Sequence, residues 1–205
     1  MTIKYENHQK VWDNIAPEWN KFKEIPSGFS RDFLSHQCSG NVLDLGSGSG
    51  RHLTKIKNGK MHLVDFSGKM IELAEYKAKK LKIPMEGVVA DITKKLPFED
   101  NFFDYAICIS ALHCIKGEKN REKAVSELYR VMKKGSKSLI GVWNFNSKRF
   151  NQKKGKEKIV GWRNKGKRYY YLFAENEIHD LFRAAGFKIL SSHNTEMMIN
   201  FIVEK

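Results

Sequence analysis

Three glycines on alternate positions, Gly46, Gly48 and Gly50, follow an apolar run from Asn41 to Leu45. Glycine allows backbone angles and close approaches that a Cβ forbids, so a ligand can lie against the main chain there. Asp65 comes nineteen positions after Gly46 and ends the next apolar run, Met61 to Asp65. A carboxylate at that place can accept both hydroxyls of a ribose. Loop and acid together point to a nucleoside-containing ligand. A dinucleotide fingerprint would carry its third glycine one residue later, where Arg51 stands, and would aim a helix at a pyrophosphate. The helix expected after this loop is short and stops at Asn58-Gly59. S-adenosylmethionine (SAM) has no pyrophosphate and is favoured over NAD. Gly46, Gly48, Gly50, Asp65 and the adjoining Phe66 are the first cofactor-binding candidates. Asp44 reads as an organiser of the loop.

Other chemistry sits further along. The run Phe103 to Ser110 is followed by Ala-Leu-His113-Cys114. Histidine can steer an acceptor or take a proton, because its ordinary pKa is near neutrality; it can equally bond to backbone at a helix start. From Ser147 to Arg168 there are ten Lys and Arg residues against one acid, Glu157, within a chain of net charge +14. Trp162, Tyr169 and Tyr170 are interleaved with Arg163 and Arg168. Basic groups neutralise phosphates and aromatic rings stack on unpaired bases. A solvated basic loop with its tyrosines on the core would have the same composition.

The positioning elements alternate. Helical spacing of Val11, Trp12, Ile15, Trp19 and Phe22, broken at Pro17, predicts an N-terminal helix, and a second covers Ser30 to Gln37. Strands are predicted at 41–45, 61–65, 86–90, 103–110 and 137–143. Helices are predicted from Ser67 to about Lys80, Asn120 to Met132 and Glu175 to Ala185. Two strands, about 187–192 and 196–203, close the chain with no helix between them. This layout predicts one α/β domain over 1–205, with a helical cap at about 1–39 and a basic insert at about 144–173. Its sheet would be Rossmann-like, seven-stranded and mostly parallel, with one antiparallel strand and helices on both faces. Ligands bind such sheets at the carboxyl ends of the strands.

Over nearly its full length this sequence resembles the class I SAM-dependent methyltransferases. The resemblance implies that Asp91 meets the adenine amino group, that Ile92 packs on the ring, and that Ser110 adjoins the cofactor at the end of the fourth strand. It also places His113 beside the transferred methyl, and Leu96-Pro-Phe98 leads into the fourth strand.

The late segment resembles the tRNA wobble-uridine carboxymethyl methyltransferases. The matching features are His113, Val142-Trp143, Trp162, Arg168-Tyr169-Tyr170 and the Glu175 to Glu177 helix start, with Val11-Trp12-x-x-Ile15-Ala16 near the N-terminus. Cys114, Gly161 and Tyr171 depart from the pattern. This resemblance implies methyl esterification of 5-carboxymethyluridine in a tRNA anticodon loop. Such a carboxylate is ionised at neutral pH and needs placement rather than a strong base. Arg168 first, and Arg163 second, are candidates to orient it, with Trp143, Trp162, Tyr169 and Tyr170 around the base. The family also implies a small zinc-binding activator subunit, which would dock on the edge strand at Met85 to Val89.

Three cysteines without a Cys-x-x-Cys pair fit a reducing cytoplasm and no metal site. No run is long enough to span a membrane. A metabolite methyltransferase, which would not need the basic segment, and a non-catalytic RNA-binding protein remain open alternatives.

Overall fold

The computed structural model describes residues 7–22, 24–150 and 155–205. Helices α1 (His8–Phe22) and α2 (Gly28–Gln37) precede β1 (Ser39–Leu45) and β2 (Lys57–Asp65). Then come α3 (Gly68–Leu81), β3 (Met85–Val89), β4 (Phe103–Ile109), a 3-10 turn at Leu112–Cys114, α4 (Glu118–Val131) and β5 (Met132–Trp143). The chain closes with β6 (Glu157–Gly161), β7 (Lys167–Tyr171), α5 (Glu175–Ala184), β8 (Lys188–Ser192) and β9 (Met198–Glu204).

Seven strands form one sheet in the order β3-β2-β1-β4-β5-β9-β8, with β9 antiparallel to both its neighbours. Neighbouring β1 and β4 connect outward in opposite directions, so their carboxyl ends open a crevice. Val125 and Leu128 of α4 and Ile178 and Phe182 of α5 join one core cluster. Phe33 of α2 and Ile71 and Ala74 of α3 join another, with Val42 and Leu63 of the sheet. The expected class of sheet, its antiparallel strand and its two helical layers are all present.

Three local expectations are corrected. No helix follows the glycine loop: residues 47–52 form successive turns, and β2 begins at Lys57. Asn58 and Gly59 therefore lie inside a strand, where a Cβ on Gly59 would fall 1.8 Å from the Gly40 carbonyl oxygen. Pro17 does not break the first helix, which runs through it. The basic segment is no simple loop, because β6 and β7 pair as an antiparallel hairpin. Of its ten basic residues, Lys153 and Lys154 lie outside the described residues.

Candidate active site

A cavity of about 340 Å³ opens at the carboxyl ends of β1, β2 and β4. Two close approaches shape its floor. Gly46 has φ +76°, and a Cβ there would meet the Ala111 Cβ at 2.2 Å, so glycine lets the ends of β1 and β4 converge. Gly48 has φ +55° and faces open space, the nearest atom to a Cβ being Trp19 Nε1 at 4.0 Å. That space is available to a ligand against bare backbone.

Asp65 ends β2 and is 8% exposed. Its Oδ2 accepts the N–H of Gly48 and its Oδ1 the N–H of Ser67, each at 2.9 Å. Each oxygen keeps a lone pair for a ribose hydroxyl. Burial raises the carboxyl to about 6, against the lowering effect of those two N–H groups. Ser67 caps α3, its Oγ accepting from the Met70 N–H at 3.2 Å. Asp91 and Ile92 line the cavity beyond β3. Asp91 Oδ1 already accepts from both N and Oγ1 of Thr93, so this acid organises its turn as well as facing the cavity. Arg130 braces the following stretch through the carbonyls of Leu96 and Phe98 and the carboxylates of Asp100 and Glu127. The acceptor lone pairs, bare glycine backbone and apolar walls fit SAM.

At the other end of the cavity stand His113, Trp143 and Tyr170. His113 is 1% exposed, and burial lowers it to about 3. Its Nδ1 accepts the Trp143 N–H at 3.0 Å. The Tyr170 and Trp143 rings stack at 4.2 Å with 20° between planes. Behind them Arg168 is 4% exposed. Its guanidinium carbon lies 5.0–5.5 Å from the ring centres of Trp12, Trp19, Trp162 and Tyr170. Cation–π attraction holds it there. Its Nε has no hydrogen-bond partner, and among the described residues no carboxylate forms an ion pair with it.

A family model described as a methyltransferase domain matches residues 43–140, the segment from β1 to β5. The tRNA (carboxymethyluridine(34)-5-O)-methyltransferase of Schizosaccharomyces pombe is 29% identical over 93% of each chain. A SAM-dependent methyltransferase from Methanosarcina mazei has the same fold, with TM-score 0.72, 21% identity and coverage of 88% of this chain and 98% of the other. So does a Haloferax volcanii methyltransferase solved in complex with the Trm112 methyltransferase activator: TM-score 0.69, 15% identity, 97% and 96% coverage. Residues 43–140 form a methyltransferase domain, and the chain has the fold of the SAM-dependent methyltransferases.

Within this methyltransferase the cavity gathers Gly46, Gly48, Asp65, Phe66, Asp91, Ile92, Ser110, His113, Trp143 and Tyr170 from the sequence-predicted set. Ser110 holds φ +65°, a strained angle for serine, at the end of β4. Gly50 is not in the cavity wall: a Cβ there would run into Leu53 and Ala74, so this glycine admits the loop against α3. Arg163 is misplaced for an acceptor contact. It sits on the hairpin turn with a 72% exposed side chain and pairs with Glu18 at 3.2 Å. Trp162 also faces α1, donating from Nε1 to Glu18 at 3.0 Å. Tyr169 braces the hairpin, its hydroxyl donating to Glu157 at 2.9 Å. Asp44 does not organise the loop by hydrogen bonds; the His52 ring lies beside it, Nδ1 to Oδ2 at 3.4 Å.

The sequence reading missed part of the wall. His8, Trp12 and Trp19 of α1 line the cavity, together with Met70, Arg51 and His52. The Trp12–Trp19 spacing on one helical stripe was a signal for burial, but nothing in it told a ligand face from a core face.

Proposed function

We propose that this methyltransferase esterifies the carboxylate of 5-carboxymethyluridine at the wobble position of a tRNA anticodon. The observation that carries the reading is Arg168, a buried guanidinium with no carboxylate partner among the described residues, set behind the acceptor end of the cavity. An unpaired buried charge is costly unless an ionised ligand completes it. The curated relative from S. pombe supports that acceptor by its name and its similar length. A metabolite acceptor would leave the basic residues around β6 and β7 without a task.

SAM supplies an electrophilic methyl on a sulfonium, and the attacking carboxylate oxygen forms the new C–O bond while the C–S electron pair returns to sulfur. No proton moves in that step, so no general base is required. Asp65, Phe66, Asp91 and Ile92 would hold the adenosine, and Gly46, Gly48 and Ser110 would admit the rest against backbone. Arg168 would orient the acceptor, and Trp143 and Tyr170 would stack on or beside its base. His113 holds the Trp143 N–H on its buried Nδ1, so it would not serve as a base and would have only its Nε2 proton for the acceptor.

Exposed basic residues of the hairpin region would follow the RNA backbone, so RNA affinity should fall steeply with salt. The β3 edge, Met85–Val89, carries the exposed Val89 and would take a small zinc-binding activator. The structural neighbour solved in complex with a methyltransferase activator supports such an assembly. The enzyme would work in the cytoplasm as one domain, with the 144–173 region as its RNA-facing insert. Among the described residues no helix is long and apolar enough to cross a membrane.

The test is incubation of the full chain and a matching activator with SAM and tRNA bearing 5-carboxymethyluridine, followed by nucleoside mass spectrometry. A new base-labile methyl ester at the wobble uridine supports the reading. SAM binding without ester formation hands the lead to a metabolite methyltransferase.

A further inference from the structure

Every backbone N–H is a donor, so the 3.0 Å contact from Trp143 N fixes His113 Nδ1 as an acceptor. The buried ring is then neutral and carries its one proton on Nε2. His113 can therefore meet a ligand only as an N–H donor. Its ring is tilted against Trp143 at 4.9 Å and against Tyr170 at 5.5 Å.

Tyr170 is 2% exposed, and its hydroxyl is buried without a hydrogen-bond partner. Arg168 is its neighbour, yet no hydrogen bond of ordinary geometry joins the two side chains. Burial raises the phenol well above its ordinary range, so the hydroxyl keeps its proton. Arg168 Nε is a second buried donor left open. Cys114, at the same end, spends its thiol proton on the Ser110 carbonyl at 3.5 Å. The two acids in the cavity wall already accept backbone N–H groups, Asp65 from Gly48 and Ser67 and Asp91 from Thr93.

Resting on the acceptor proposed above, we infer that Tyr170 and His113 are specificity-determining donors: with Arg168 they form a site that accepts a carboxylate and rejects the amide of the same shape. A carboxylate offers only lone pairs and can satisfy several donors at once. A carbamoylmethyl group turns an NH2 toward those donors and leaves at least one buried proton unmatched. Sites built on buried hydrogen-bonding groups discriminate strongly against ligands that leave them unpaired.

The experiment titrates two anticodon stem-loop RNAs, identical except for 5-carboxymethyluridine or 5-carbamoylmethyluridine, onto the full chain saturated with S-adenosylhomocysteine. Fluorescence anisotropy at one salt concentration reads both affinities, and their ratio cancels the shared phosphate contacts. The wild-type chain should prefer the carboxymethyl loop by about tenfold or more. Tyr170→Phe should reduce that ratio several-fold while S-adenosylhomocysteine affinity, measured separately, stays the same. A wild-type ratio near one overturns the inference without any variant having to fold. An unchanged ratio in a Tyr170→Phe chain that still binds S-adenosylhomocysteine overturns the role of Tyr170. Replacing S-adenosylhomocysteine by SAM separates the two claims: ester formation alongside a ratio of one sinks this inference and leaves the proposed reaction standing.

Discussion

Asp65 Oδ2 accepts the N–H of Gly48 at 2.9 Å, so the acid that ends β2 and the glycine loop after β1 are tied directly together. Burial favours the protonated acid and raises it from 3.8 to about 6, whereas ribose hydroxyls favour the carboxylate. SAM affinity should therefore be level near neutrality and weaken as pH falls below about 6. Calorimetric titrations at several pH values measure this. Asp65→Asn should remove the pH dependence and cost about 10- to 100-fold in affinity. Fold stability runs the opposite way in the apoprotein. The contribution of this group is fully present below the ordinary carboxyl range and is lost as pH rises through about 6, by ~3 kcal/mol in all.

Gly46 and Gly48 should separate when each is changed to alanine. The Gly46 Cβ would collide with Ala111, so Gly46→Ala should lower the thermal midpoint, at a cost of about 2–3 kcal/mol. The Gly48 Cβ meets only space, so Gly48→Ala should cost about 1 kcal/mol of fold and much more of SAM affinity. Thermal melts with and without SAM distinguish the two patterns.

Arg168→Met keeps an apolar stem among the four rings and deletes the unpaired charge. The variant should be as stable as the wild type or more so, by up to about 3 kcal/mol. Methyl transfer should fall about a hundredfold, with SAM affinity nearly unchanged. Equal losses of SAM binding and transfer would remove Arg168 from the acceptor role. Denaturant melts, SAM titration and single-turnover assays together decide it.

Glu18 binds Trp162, Lys165 and Arg163 and so fastens the hairpin turn to α1. Glu18→Ala should raise amide exchange across 157–171 and leave 39–65 protected. Hydrogen exchange followed by mass spectrometry resolves the two segments. Unchanged exchange in the hairpin would show that Glu18 is not needed to hold it.

Much of the architecture could be read from the sequence because apolar runs and turn residues agreed locally, as with β1, the glycine loop, β2 and the Ser67 cap. The reading failed where tertiary contacts overrode local signals. Asn58-Gly59 looks like a stop, yet β2 passes through it because Gly59 packs against the Gly40 backbone. Charge clustering drew attention to 147–168 without assigning it strands, although Ile159-Val160 and Tyr169-Tyr170-Tyr171 have strand propensity on either side of a glycine-containing turn. In the sequence Arg168 is the first candidate and Arg163 the second, with nothing to show that their surroundings differ. Pairing across β6 and β7 puts one on the exposed turn and the other among four rings, a distinction set by register.

Helix α1 contributes His8, Trp12 and Trp19 to the cofactor wall and holds structures on two sides. Gln9 donates to the Phe66 carbonyl at 2.7 Å and Asp13 accepts from the Ser67 hydroxyl at 2.6 Å, directly after Asp65. Asn14 donates to the Lys165 carbonyl at 3.1 Å, in the hairpin turn. One bolt thus secures two doors. Displacing α1 would therefore loosen the turn after Asp65 and the hairpin turn together, so the two ends of the cavity share one fastening.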